Sequence, residues 1–260
     1  MNQHQFETDI HKLISDVASP IGLVIKEDEY SINVHANMTM PAASVIKIPI
    51  IMEAFRQAEC GNLKLSESLD IPADTKVGGS GVLQALSENV SMTFLDVLTL
   101  MIIVSDNTAA NIAIKRVGIE HVNRLCRELH CHDTEIQRLF MDMEAAEQGL
   151  ENVTTAGDMV RFLEEIASPR LLSEESANRI MTIMDRQQLT SKLPGYHTKN
   201  AIMIANKTGE LSDAEHDTGI FQYQDRTIFA AVLMDGIRDH VAAQQIIARI
   251  GKAVIAYLSK

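Results

Sequence analysis

The sequence predicts an α/β fold: one antiparallel five-stranded sheet, flanked by helices from the two chain ends, with an all-helical segment inserted between the strands. Three observations predict it. Strand-like runs cluster toward the chain ends, at 21–26 and 30–35 and again at 202–207, 218–223 and 227–234. The middle third reads as helix after helix. Amphipathic helical patterns open and close the chain.

In order, the first helix is read over 5–17, where Phe6, Ile10, Leu13 and Ile14 recur at helical spacing. Two strands follow, separated by Glu27-Asp28-Glu29 as a hairpin turn. Residues 44–59 are helical again, with Pro49 tolerable only near the first turn or as a kink. Further on, 93–104 is a strongly apolar helix, and 107–117 and 120–130 are two more. Thr155-Ala156-Gly157-Asp158 reads as a capping box opening a helix to about 167, and Ser173 caps another to about 186. Two loops interrupt this run: Gly78-Gly79-Ser80-Gly81 and the acidic stretch 142–152. The last two strands join through Gln224-Asp225-Arg226, and 239–258 is a long amphipathic helix. Residues 1–48 and 190–260 would form the sheet unit and 49–189 the helical one. The crevice between them is the expected site.

The chain has 260 residues, 46% hydrophobic, enough to bury a sizeable core. Its formal charge of −12 argues against nucleic acid or an anionic membrane as partner. Without tryptophan and with 4% aromatics, it offers no base-stacking surface. Three cysteines without a CxxC pair predict idle thiols rather than a disulfide framework. No HExxH pairing occurs among the nine histidines, and His130-Cys131-His132 reads as a surface turn, so neither metal nor cofactor is expected. The apolar runs 45–51 and 98–104 are too short to cross a bilayer, and the N-terminus lacks a basic-then-apolar leader. The expectation is a cytoplasmic monomer, or an extracellular or periplasmic one if a leader has been removed.

Three short motifs carry chemistry. In Ser44-Val45-Ile46-Lys47 the spacing lets Lys47 fold back on the Ser44 hydroxyl, and a desolvated lysine can serve as its base. A helix start at Ser44 also aims N–H groups at developing negative charge. Ser105-Asp106-Asn107 follows the apolar helix and presents a hydroxyl and an amide. Lys207-Thr208-Gly209 ends a predicted strand, where Lys and Thr can hold a carboxylate. Alone, each reads as a cap or a turn. Together, in this order and context, they resemble the SxxK, SDN and KTG signature of class A β-lactamases and penicillin-binding proteins. The run LTLMIIVSDNTAANIA at 98–113 resembles the family's helix–SDN–helix unit, and the likeness extends over nearly the whole chain.

The resemblance implies a serine hydrolase acting on a β-lactam or an acyl-D-alanine-like amide, a small-molecule or acyl-peptide-like partner. A D-alanyl peptidase or esterase, or a sensor domain that stays acylated, are the alternatives. Ser44 would attack the carbonyl, and Lys47 would take or relay its proton. Ser105 would protonate the leaving nitrogen, and Asn107 would bind the acyl amide. Lys207 and Thr208, with Gly209, would anchor the carboxylate. The oxyanion hole would be the N–H groups of Ser44 and Glu210. Asp106 would brace its own turn.

Two departures stand out. Family hydrolases release the acyl group through a glutamate in an R-x-E-x-x-L-N loop, but here Arg138-Leu139-Phe140 places Phe140 at that position. Glu144 and Glu147 are the nearby candidates for the deacylation base. Glu210 is the second: a carboxylate beside the anchor for an anionic substrate would repel it.

Overall fold

A computed structural model describes residues 1–15, 17–198 and 201–260. Its elements are α1 (Gln3–Ile14), β1 (Ile21–Glu27), β2 (Tyr30–Val34), β3 (Met40–Pro41), α2 (Lys47–Glu59), β4 (Ser68–Ile71), β5 (Val90–Thr93), α3 (Phe94–Ile103) and α4 (Asn107–Val117). Then come α5 (Ile119–Glu128), α6 (Met143–Glu147), β6 (Val153–Thr154), α7 (Ala156–Ala167), α8 (Glu174–Asp185), β7 (Met203–Leu211), β8 (Ala214–Tyr223), β9 (Arg226–Met234) and α9 (His240–Leu258).

The five-stranded sheet has the order β2-β1-β9-β8-β7 and is antiparallel throughout. First and last strands thus meet at its centre, through the Leu23–Val232 and Ile25–Ala230 pairs. Alternation along β9 divides the core. Ala230, Val232 and Met234 pack under α1 and α9, where Phe6 stacks on Tyr257 at 4.3 Å. Ala231 and Leu233 face the helices between the two groups of strands. α9 is long and apolar enough to cross a membrane by length and composition, but Ile247, Ile250, Val254 and Leu258 are buried in this core.

Differences from the sequence reading have local causes. Strand β7 continues past Lys207 to Leu211, because β8 begins early enough to pair Glu210 with Glu215 and Leu211 with Ala214. Lys207-Thr208-Gly209 therefore lies inside a strand and not at its end. The middle region is not wholly helical: β4 and β5 pair within it, and β3 pairs with β6. Helix caps agree more closely, although the capping box expected at Thr155 is only half made because Asp133 N, Thr134 and Arg161 take the Asp158 carboxylate. Thr93 and Asp96 form a capping box on α3, and Thr155 and Ser173 accept from the third residue of their helices.

Candidate active site

Ser44 sits in a 3-10 turn, Ala43–Ile46, that runs directly into α2. Pro49 is then the third residue of the helix, where its missing N–H breaks no helical hydrogen bond. Ala43 has φ +46°, a conformation costing about 1–3 kcal/mol for a non-glycine residue. Neighbours hold it there. Ala42 N–H donates to Asn152 O (2.7 Å), and His216 Nε2 donates to Pro41 O (2.8 Å). His216 Nδ1 accepts from Met234 N–H (3.2 Å), so the ring is the neutral Nε2–H tautomer, as its burial also favours. Gly209 lets β7 pack on this turn. A Cβ there would lie 3.1 Å from Ala43 Cβ and 3.2 Å from His216 Cβ.

Ser44 is 8% exposed and lines a cleft of about 490 Å³. Among the described residues its hydroxyl has no hydrogen-bond partner. The expected Lys47–Ser44 hydrogen bond is therefore not made. Lys47 Nζ instead contacts Ser105 O (2.7 Å), Asn107 Oδ1 (3.0 Å) and Ser105 Oγ (3.2 Å). The two residues still share a face, because side chains three apart eclipse in a 3-10 turn.

Ser105 Oγ also receives Lys207 Nζ (3.0 Å) and so bridges the two lysines. Both lysines are fully buried. Burial, and then the charge of Lys207, hold Lys47 well below an ordinary lysine, with Asp106 opposing. Burial brings Lys207 down to about 7; Asp217 opposes this and Lys192 adds to it. Ser105 itself has φ +56°, and Met141 of the cleft wall φ +61°, so with Ala43 three non-glycine residues at the site are strained.

Asp106 braces the turn, as the sequence suggests. Its carboxylate accepts from Val82 N (2.7 Å), Leu83 N (2.8 Å) and Ala109 N (2.9 Å). The glycine loop must lie flat against it: a Cβ on Gly81 (φ +109°) would come within 2.3 Å of that carboxylate.

The opposite wall is the segment 138–152. Arg138 Nη2 makes two 2.9 Å hydrogen bonds to Glu151, and Asn152 Oδ1 accepts from Gln137 N and Arg138 N. Asn111 clamps Phe140 by both backbone groups (2.8 and 3.0 Å). These contacts place the Phe140 ring 4.4 Å from Lys47 Nζ. Glu144 and Glu147 are not brought to the cleft. Both lie on α6, outside the set of side chains that lines it, while Met143 and Ala146 of the same helix line the cleft with Phe140 and Met141. Of the other carboxylates in this segment, Asp142 caps α6 by accepting from Ala145 N, and Glu151, which lines the cleft, is engaged by Arg138.

Asn107 and Glu210 line the cleft with Ser44, whereas Lys47, Ser105, Lys207 and Thr208 are buried beside it. Gly209 serves packing and, through its carbonyl, a hydrogen bond from Lys192. Among the described residues no group of three or more metal-ligating side chains occurs. Cys126 and Cys131 are buried, and burial raises the Cys126 thiol to about 12.

The family model described as the beta-lactamase enzyme family matches residues 5–258. The chain belongs to the beta-lactamase enzyme family. Within the family, it is 25% identical to a solved β-lactamase of Sphaerobacter thermophilus, with a TM-score of 0.92 over 100% of this chain and 98% of that one. The solved structure of PBP-A is 27% identical, with a TM-score of 0.87 over 99% and 97% of the two chains. A single-residue mutant of PBP-A was captured as an acyl-enzyme with penicillin G. Among curated relatives, the β-lactamase regulatory protein BlaB of Streptomyces cacaoi is 20% identical, covering 75% of this chain and 77% of its own. The mixed α/β architecture with its five-stranded sheet is that of the class A β-lactamases.

Sequence reading missed Asn111, Asn152 and His216 as organisers of the site. Each acts through backbone groups distant in sequence, and no local pattern marks such a partner.

Proposed function

We propose that this chain is a serine acyl-transfer protein that forms a covalent adduct at Ser44 with β-lactams or related acyl amides, and releases it slowly. One observation carries the reading: the Phe140 ring stands beside Lys47 on the cleft wall, and Glu151, which lines the cleft with it, is engaged by Arg138. Acylation is provided for. The Ser44 hydroxyl is free in the cleft, and Lys47 is held toward its neutral form. Ser105 links Lys47 to Lys207.

Ser44 Oγ adds to the amide carbonyl as its proton passes to Lys47. Collapse of the tetrahedral species breaks the C–N bond, and the proton returns through Ser105 to the leaving nitrogen. The N–H groups of Ser44 and Glu210 would receive the oxyanion. Hydrolysis needs a base to align water, and Glu144 and Glu147 do not offer one from where they stand. A second reading, a penicillin-binding peptidase or sensor in place of an antibiotic hydrolase, is favoured by the same Phe140 and by the likeness to PBP-A. The test is intact mass: after mixing with penicillin, a persistent adduct on Ser44 supports slow release, whereas rapid return to the free mass with product formed contradicts it.

A further inference from the structure

Lys192 belongs to none of the three motifs, yet it is 2% exposed and sits against the strand that carries Lys207. Its Nζ donates to Gly209 O of β7 (2.7 Å) and to His216 O of β8 (3.1 Å), and it pairs with Glu215. Glu215 is itself held by His240 Nδ1 and Gln244 Nε2 of α9, both at 2.9 Å. Gly209 and His216 are register partners, so an ammonium bridging their carbonyls fixes the Gly209 C=O on the β8 side. The C=O of Gly209 and the N–H of Glu210 belong to one peptide group. That group is planar and trans, which points the N–H the opposite way. Because β7 is the sheet's edge strand and Glu210 lines the cleft, the N–H projects from the open edge beside the Ser44 turn.

We propose that Lys192 is a positioning residue for acyl transfer, which orients the Gly209–Glu210 peptide and polarises it so that the Glu210 N–H becomes a stronger oxyanion donor. The proposal rests on the reading of Ser44 as the acylated nucleophile. A cation on the carbonyl oxygen draws electron density through the amide, and hydrogen bonds in series strengthen one another. The contribution is realised when the substrate oxygen becomes an anion, so it acts on the rate and not on ground-state binding.

Removing Lys192 alone would strand Glu215 in the interior, so the test uses the neutral pair Lys192→Met with Glu215→Gln. The thermal midpoint verifies that this variant is folded. Its rate of acylation by a fluorescent penicillin, and its affinity for a boronic acid that forms a tetrahedral anionic adduct on Ser44, are expected to fall together by about 10-fold or more. Penicillin affinity measured in a Ser44→Ala background is expected to stay the same. A folded variant with wild-type acylation and boronate affinity overturns the proposal and leaves Ser44 standing. A wild-type protein that takes up neither penicillin nor boronate overturns the Ser44 reading, and this proposal with it.

Discussion

Lys47 Nζ stands 4.4 Å from the centroid of the Phe140 ring, so the amine three residues after Ser44 faces a π surface on the side of the 138–152 segment. A ring can stabilise a cation but cannot take a proton from water. Acylation and deacylation are thereby unequal in their equipment. Phe140→Glu would place a carboxylate near Lys47 within reach of the same space. The adduct lifetime is expected to shorten by about 10²–10⁴-fold, the range of a positioned general base, read by following adduct mass over time. An unchanged lifetime would mean that something other than the missing base limits release.

Lys207 sets the pH response. Its folded value is about 7, so its charge is lost as pH rises through neutrality, and with it the attraction for a substrate carboxylate. The second-order acylation rate for a carboxylate-bearing penicillin should fall on the alkaline side with an apparent pKa of about 7. Lys207→Arg keeps its charge and should move this limb beyond about pH 9. Stopped-flow acylation across that range checks both.

Glu210 lies exposed on the cleft and makes no salt bridge among the described residues, although its charge is one of those that raise His240. Glu210→Gln should therefore raise the acylation rate for anionic penicillins by about threefold at low ionic strength, with the gain shrinking as salt is added. A salt-independent change would point to altered geometry.

Asp106 is a structural brace. Replacing it by alanine leaves the N–H groups of Val82, Leu83 and Ala109 without their acceptor, at a cost of about 3 kcal/mol. Urea unfolding measures this. Acylation should fall as well, because Asn107 follows directly in the chain and accepts from Lys47.

Much of this was legible in the sequence. Strand alternation at both chain ends implied the mixed sheet, and Thr155 and Ser173 announced their helices because a cap is a local interaction. Lys47, Ser105 and Lys207 are joined by hydrogen bonds, and Ser44 lines the adjoining cleft. What could not be read depends on distant partners. The end of β7 is set by where β8 begins. The contacts of Lys47 are set by the α3–α4 junction, which draws Nζ to Ser105 and Asn107 and away from Ser44. The placement of Glu144 and Glu147 away from the cleft follows from α6 burying no residue and setting Met143 and Ala146 on the cleft side.

The central claim is that Ser44 is a nucleophile whose acyl adduct outlives its formation. Mixing the protein with a fluorescent penicillin and a chromogenic cephalosporin, while recording product and intact mass together, tests it most directly. Rapid appearance of one adduct per chain, slow product release and complete loss of the adduct in Ser44→Ala are expected. An adduct that survives Ser44→Ala, or fast turnover with no accumulating adduct, would contradict it.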